Sequence, residues 1–250
     1  MAKRILIIPD LHGRTFWKDA VKQEINNVDK IVFLGDYLDP YGWEGISKTD
    51  AIDNFVEVIN FKKENPDKVI LLLANHDMPY IDKKHFTTRV RYDMMHAGDI
   101  GHLFKSNSDL FQLAYENVIN GVNYLFTHSG LIYEWYHYHK DLIGELTVDN
   151  LNNLLNSAEG VSALCFVSRY RGGWNKYPSI LWGDIHEFGE IIQAGEKING
   201  NIPWDYQIFG HTMVNKPIIE KEFACLDCKK AFILNEDGSI REVEKNLGTE

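Results

Sequence analysis

The chain has 250 residues, of which 44% are hydrophobic and 25% charged, proportions ordinary for a globular protein and sufficient for one α/β domain with a large core. A formal charge of −10 argues against broad electrostatic binding to nucleic acid, although bound metal ions can invert the field locally. Three cysteines give no even disulfide framework and suit a reducing, cytoplasmic compartment.

The first residues, Met1-Ala2-Lys3-Arg4 and then the apolar run 5–8, mimic a signal peptide, but Pro9-Asp10 ends the run after four residues. That is too short for export or membrane insertion. The run reads instead as the first of five short buried strands, the others being residues 30–34, 69–73, 124–126 and 206–209. All are rich in β-branched or aromatic residues and too short for buried helices. Ile52, Phe55, Val56 and Ile59 recur at helical spacing and predict an amphipathic helix that Pro66 ends; Leu151, Leu154, Leu155 and Ala158 predict a second. Cys225 and Cys228 form a lone C-x-x-C with no second pair, so a zinc ribbon is unsupported and ordinary strand residues are the simpler reading. The tail predicts two strands, 231–234 and 239–243, around the turn Asn235-Glu236-Asp237-Gly238. No repeat, low-complexity tract or linker marks a second domain, so residues 1–250 read as one domain, with an aromatic-rich insert at about 131–182.

Each predicted strand is followed at once by polar residues: Asp10 and His12, then Asp36, then Asn75 and His76, then His128, and last His211. In open α/β sheets ligands bind beyond the carboxyl ends of strands, so these side chains are expected to converge. Carboxylate, amide oxygen and imidazole are donors suited to Mn, Fe, Zn or similar divalent ions rather than to a soft thiolate site. A carboxylate between two ions about 3.5–4 Å apart can bridge them, and such a pair activates water and neutralises a phosphoryl oxygen. One histidine at a strand end is more often an ordinary core or surface residue; the ordered set carries the inference.

Asp10-Leu11-His12-Gly13, Gly35-Asp36-Tyr37-Leu38-Asp39, Asn75-His76-Asp77, Thr127-His128-Ser129-Gly130 and Gly210-His211-Thr212 resemble the successive motifs of the calcineurin-like metallophosphoesterase superfamily, and most nearly its phosphoprotein phosphatase branch. Leu181-Trp182-Gly183-Asp184 is similar to that branch's L-W-S-D element, and residues 225–229 sit where it carries a D-T-G strand. The resemblance implies a four-layer α/β/β/α sandwich of two mixed sheets flanked by helices. It also implies two divalent metal ions, the first held by Asp10, His12 and a bridging Asp36, the second by Asp36, Asn75, His128 and His211. His76 would then be the proton donor to the leaving oxygen, oriented by Asp39; the plainer reading of Asp39 is a turn starter before Pro40. Many relatives end in G-H-x-H, where this chain has Met213.

Two departures matter. Pro40 stands where the family usually has an arginine, so the bidentate phosphate clamp is missing from its usual place, and Ala74 and Asp77 replace Gly and Glu. Arg14, Arg89, Arg91, Arg169 and Arg171 are candidate replacements, with Arg169 and Arg171 the preferred phosphate-binding pair. Tyr133, Trp135, Tyr136, Tyr138, Tyr170, Trp174 and Tyr177 are expected either to form a wall beside the metals on which a substrate stacks or to pack in the core. The resemblance implies a phosphoric ester hydrolase, preferably a phosphomonoesterase acting on a phosphorylated small molecule or a phosphoprotein by direct attack of metal-bound hydroxide, with manganese a natural first choice of ion. A nucleotide phosphodiesterase or dinucleoside polyphosphate hydrolase stays open because of Pro40. A non-catalytic binding scaffold is the alternative from another class.

Overall fold

The computed structural model describes residues 2–83 and 90–244. Strands form at all five predicted runs. β1 (Ile5–Ile8), β2 (Lys30–Phe33) and β3 (Val69–Leu72) lie parallel and in register, Ile5 beside Lys30 and Ile31 beside Val69. The two-residue β4 (Phe111–Gln112) extends this sheet beyond β3. On the other side β10 (Phe232–Leu234) pairs antiparallel with β1 and with β11 (Ile240–Glu242), giving the order β11-β10-β1-β2-β3-β4. The predicted C-terminal hairpin is therefore present, its turn closed by the Asn235 amide donating to the Ser239 carbonyl.

The second sheet begins with a hairpin of β5 (Ala114–Ile119) and β6 (Val122–Thr127). Its two-residue loop, Asn120-Gly121, has positive φ at both positions, the backbone whose twist suits a tight hairpin. β7 (Tyr206–Phe209) runs parallel to β6, β9 (Phe223–Cys225) parallel to β7, and β8 (Ile218–Ile219) antiparallel to β9.

The layering follows from side-chain alternation. Along β1, Ile5 and Ile7 join Val32, Leu72, Phe126 and Ile208 in a cluster between the sheets, whereas Leu6 and Ile8 face the opposite way. Leu6 and Ile8 share their cluster with Trp17, Ala20 and Val21 of α1 (Phe16–Glu24) and with Ala51, Phe55, Val58 and Ile59 of α2 (Lys48–Glu64). On the far face of the second sheet, Phe209 and Phe223 pack against Phe188 of a late helix at Ile185–Gln193. Two mixed sheets flanked by helices result, with the central strands β1, β3, β9 and β10 buried on both faces and apolar along their length, and the edge strands β5, β8 and β11 partly exposed.

Between β3 and β4 the chain forms α3 (Met78–Ile81) and α4 (Ala97–Ser106); after β6 come α5 (Tyr133–Tyr138), α6 (Lys140–Ile143), α7 (Val148–Asn152) and α8 (Ala158–Ala163), and the late helix is α9. Two predicted helices need correction. The face that α2 buries is Ala51, Asn54, Phe55, Val58 and Ile59, with Ile52 and Val56 only half-buried, because Asn54 turns inward to accept a hydrogen bond from the Trp17 indole. The helix predicted through Leu151 and Ala158 is broken: α7 gives way to a 3-10 turn at Asn153–Asn156, and Ser157 caps α8 by accepting from the Gly160 amide. Ala158 is exposed.

Candidate active site

The polar residues after β1, β2, β3, β6 and β7 meet at the carboxyl ends of those strands. All of Asp10, His12, Asp36, Asn75, His128 and His211 are buried. Three loops are tied to one another before any ligand is considered. The His12 amide donates to the Asp36 carbonyl at 2.6 Å, and the Asp77 carboxylate accepts from the amides of Ala74, Asp36 and Tyr37 at 3.0, 3.0 and 3.1 Å. Asp77, shorter than the glutamate of the family pattern, thus joins the Asp36 and Asn75 loops. Across the seam between the sheets, the His211 amide donates to both oxygens of Asp10 at 2.9 and 3.1 Å. This approach requires Gly210, since a Cβ there would lie 2.0 Å from Asp10 Oδ2.

Backbone strain gathers at the same place. Of the six described non-glycine residues with positive φ, four are His12, Asp36, Asp39 and His211. Each costs about 1–2 kcal/mol relative to right-handed backbone, a cost that persists where surrounding structure enforces it and that marks functional sites.

The imidazoles are aimed by their outer nitrogens. His12 Nδ1 lies 3.0 Å from the Leu38 carbonyl and His128 Nδ1 2.8 Å from the Leu34 carbonyl, so each donates outward and turns the Nε2 lone pair inward. His12 Nε2 is 3.3 Å from Asp36 Oδ2. His128 Nε2 is 2.8 Å from Asn75 Oδ1, 3.0 Å from His211 Nδ1 and 3.7 Å from Asp36 Oδ2. Two sets of donor atoms, Asp10 with His12 and Asp36, and Asp36 with His128 and His211, each lie within 4.8 Å of one another. Asp36 belongs to both.

Electrostatics favours cations in this place. Burial, then the charges of Asp227 and Asp36, pushes the Asp10 carboxyl well above its ordinary range. Burial would also raise Asp36, but the His128, His76 and His12 rings outweigh it and hold it well below. Burial lowers His128 to about 4 and, with Arg171 nearby, lowers His211 far below its usual value, so both imidazoles are neutral at pH 7. His211 Nε2 and Asp227 Oδ1 are buried without a hydrogen-bond partner. Inward lone pairs, crowded carboxylates and neutral imidazoles fit divalent metal ions.

His76 sits beside this cluster. Its Nδ1 donates to Asp39 Oδ2 at 2.9 Å, while Asp39 Oδ1 accepts from the Tyr80 hydroxyl at 2.5 Å and that hydroxyl accepts from the Asp93 amide at 2.8 Å. The His76 amide donates to Asp36 Oδ1 at 3.0 Å, linking it to the shared carboxylate. Burial lowers the His76 imidazolium, opposed by Asp36 and Asp39.

The arginine candidates separate cleanly. His12, Asp36, Asn75, His76 and His211 line a cleft of about 100 Å³ together with Tyr41, Trp182, Arg91 and Arg171. Arg171 Nη2 donates to the His211 carbonyl and to Thr212 Oγ1, both at 2.9 Å, and its Nε meets Asp184 Oδ2 at 2.7 Å. Asp184, in the Leu-Trp-Gly-Asp element, also caps α9 through the His186 amide. Arg91 Nε donates to the Asp39 carbonyl at 3.0 Å, and its guanidinium lies 3.6 Å from the centre of the Tyr41 ring. Arg169, one of the preferred pair, is not in the cleft. It lies on the surface bonded to Glu190 at 2.6 Å, because the 3-10 turn Arg169–Arg171 sends its two ends in different directions. Arg14 is committed to Glu44 at 2.8 and 3.0 Å, and Arg89 lies outside the described residues.

The aromatic wall is not at the cleft either. Trp135 is fully buried with its indole donating to the Ala163 carbonyl, Tyr136 is buried, and Trp174 is 94% exposed. Tyr41 and Trp182 are the rings at the cleft. Sequence reasoning gave no role to Arg91's neighbour Tyr41 or to Asp227, although Asp227 follows the short apolar strand β9 in the same manner as the other site residues.

A sequence model of the family described as Calcineurin-like phosphoesterase matches residues 3–215. No curated protein matches the chain by sequence. Among solved structures, the chain is similar to a cold-active protein tyrosine phosphatase, with TM-score 0.56 and 14% identity over 98% of this chain and 80% of that one. It is likewise similar to a protein serine/threonine phosphatase from Saccharomyces cerevisiae with similarity to human phosphatase PP5, with TM-score 0.54 and 14% identity over 97% and 80%. A hypothetical protein from Pyrococcus horikoshii has TM-score 0.50 and 8% identity over 96% and 87%. At these identities the likeness is one of fold.

Proposed function

The chain belongs to the calcineurin-like phosphoesterase family, and on that premise we propose that it is a metal-dependent phosphomonoesterase whose cleft grips a terminal phosphoryl group between two guanidiniums. The observation that carries the reading is the pair Arg91 and Arg171 in one cleft with the two donor sets. Guanidinium forks suit the oxygens of a phosphate dianion, and a monoester offers more unesterified oxygens than a diester. Arg91 reaches the cleft from a different segment and supplies the charge that Pro40 withholds. At about 100 Å³ the cleft is below the usual size of a small-molecule pocket, roughly 300–1,000 Å³, so the phosphoryl group enters while the leaving group stays at the mouth. Phosphorylated small molecules and phosphoprotein side chains both meet that requirement.

In this reading Asp10, His12 and Asp36 hold one divalent ion, and Asp36, Asn75, His128 and His211 hold the second; when bound, the ions activate water for attack on phosphorus and neutralise phosphoryl charge. Manganese is the ion to try first. The chain's own residues do the rest. Arg91 and Arg171 orient the phosphoryl oxygens, Arg171 being braced by Asp184 and Arg91 by the Asp39 carbonyl. Asp39 holds the His76 Nδ1 proton, leaving Nε2 as the atom that exchanges a proton with the leaving oxygen. Because burial lowers His76 while neighbouring carboxylates raise it, an arriving phosphate dianion adds to the raising side and ties protonation to substrate occupancy. The retained donor set and acid histidine favour an enzyme over a non-catalytic scaffold. No described helix is long and apolar enough to cross a membrane, and three free cysteines accord with a cytoplasmic setting.

The test is hydrolysis of para-nitrophenyl phosphate against its bis-ester by manganese-loaded protein. Preference for the monoester is expected; preference for the bis-ester would replace this reading with a nucleotide-directed phosphodiesterase.

A further inference from the structure

Asp227 lies two residues past the end of β9, which runs parallel to β7, so it stands at the same edge of the second sheet as His211. Its side chain is 2% exposed, and Oδ1 is buried with no hydrogen-bond partner. The charged groups that act on it are His12, Arg14, Asp36 and Arg171, and it acts in turn on Asp10. None of the cations is free for it. The Arg14 guanidinium is forked onto Glu44, the Arg171 Nε is paired with Asp184, and the adjacent Lys229 reaches Glu44 instead.

Three carboxylates, Asp10, Asp36 and Asp227, are thus buried within electrostatic reach of one another, and no cation among the described residues is bonded to Asp227. An uncompensated buried carboxylate is strongly unfavourable, and a fold keeps one where a cation offsets it. Asp227 is outside the Asp10, His12 and Asp36 donor set, whose atoms lie within 4.8 Å of one another, so it is not an inner ligand. We propose that Asp227 is an outer anchor for the cation that Asp10, His12 and Asp36 would hold, adding negative charge around that site. It is a positioning residue and touches no substrate. This inference rests on the two-ion reading above.

The experiment compares wild type with Asp227→Asn by manganese titration of metal-free protein and by thermal unfolding of the same metal-free samples. Outer-shell partners change metal affinity by about 10–100-fold, so the variant is expected to weaken one of two binding steps by that factor and leave the other unchanged. Its metal-free Tm should equal or exceed that of wild type, because the substitution removes a buried unpaired charge; a merely structural aspartate gives the opposite sign. Unchanged affinity at both steps overturns the inference, as does a lower metal-free Tm. If wild type binds no manganese, the metal reading itself falls and this inference falls with it, an outcome distinct from unchanged binding in the variant alone.

Discussion

Gly210 shows how much a single missing methyl group decides. Its Cα passes so near the Asp10 carboxylate that an added Cβ would overlap Oδ2 at 2.0 Å, and the neighbouring His211 amide is what holds that carboxylate in place. Gly210→Ala should therefore swing Asp10 out of its donor set. A displacement of about 1 Å in a reacting constellation costs on the order of 100-fold in rate, and overpacking costs about 1–3 kcal/mol of stability. We expect kcat/KM for the monoester to fall by at least that factor with a measurable drop in urea midpoint; wild-type kinetics in this variant would show that Asp10 needs no such anchor. The convergence of these polar residues was legible in the sequence, because an apolar run followed by a polar donor is a local pattern. Arg91 was one of five candidate arginines but not of the preferred pair, and Asp227 was given no role. Arg91 comes from a stretch without periodicity and owes its place to tertiary contacts with Tyr41 and the Asp39 carbonyl. Asp227 has the local pattern, but its lack of a counter-charge appears only when Arg14 and Arg171 are seen bonded elsewhere.

At the scale of elements, α9 links a helix cap to the cleft. Asp184 accepts the His186 amide at the start of α9 and grips Arg171 with its other oxygen, so one carboxylate begins a helix and fixes a guanidinium that lines the cleft. The two roles separate by substitution. Asp184→Asn retains a good capping residue and loses the charge on Arg171, and should raise KM several-fold with little change in Tm; Asp184→Ala loses both and should also cost about 1 kcal/mol of stability. Equal kinetics in wild type and Asp184→Asn would remove Arg171 from the clamp. Strands proved easier to read than helices. The central strands are buried on both faces, so their composition marks them, while the partly exposed β5 and the two-residue β4 and β8 escaped notice; the stripe of Leu151, Leu154 and Leu155 continues in sequence past a point where the backbone turns. There Ser157 captures the Gly160 amide, and Gly160, which a Cβ would bring 2.2 Å from the Leu154 carbonyl, lets the two segments cross. Apolar spacing carries no sign of such a crossing.

At the scale of the whole molecule, protons and metal compete for the seam between the sheets. Asp10 is raised when metal-free, so its contribution to stability is complete below its unfolded value of 3.8 and is lost as pH rises through its higher folded value. His128 is lowered from 6.5 to about 4; its contribution is present above 6.5 and is lost as pH falls through about 4, a swing of roughly 3 kcal/mol. On the proposed two-ion reading manganese would displace the Asp10 proton, so the difference in Tm between loaded and metal-free protein should widen as pH rises above the ordinary carboxylate range. At a hundredfold excess over Kd the ion adds about 2.7 kcal/mol. A difference that stays flat from about pH 5 to 8 would show that Asp10 binds metal without releasing a proton.

The position of β1 has a consequence for biosynthesis. β1 is flanked by β2, which leaves the ribosome soon after it, and by β10, which begins only at Phe232. Until Phe232 has emerged the nascent chain therefore carries Ile5–Ile8 with one edge unpaired, the exposed apolar strand edge that invites wrong partners. His211 also follows the other candidate donors, so a chain stalled between His128 and His211 would offer both an open edge and five of the six buried donor residues, without the sixth or the closing hairpin.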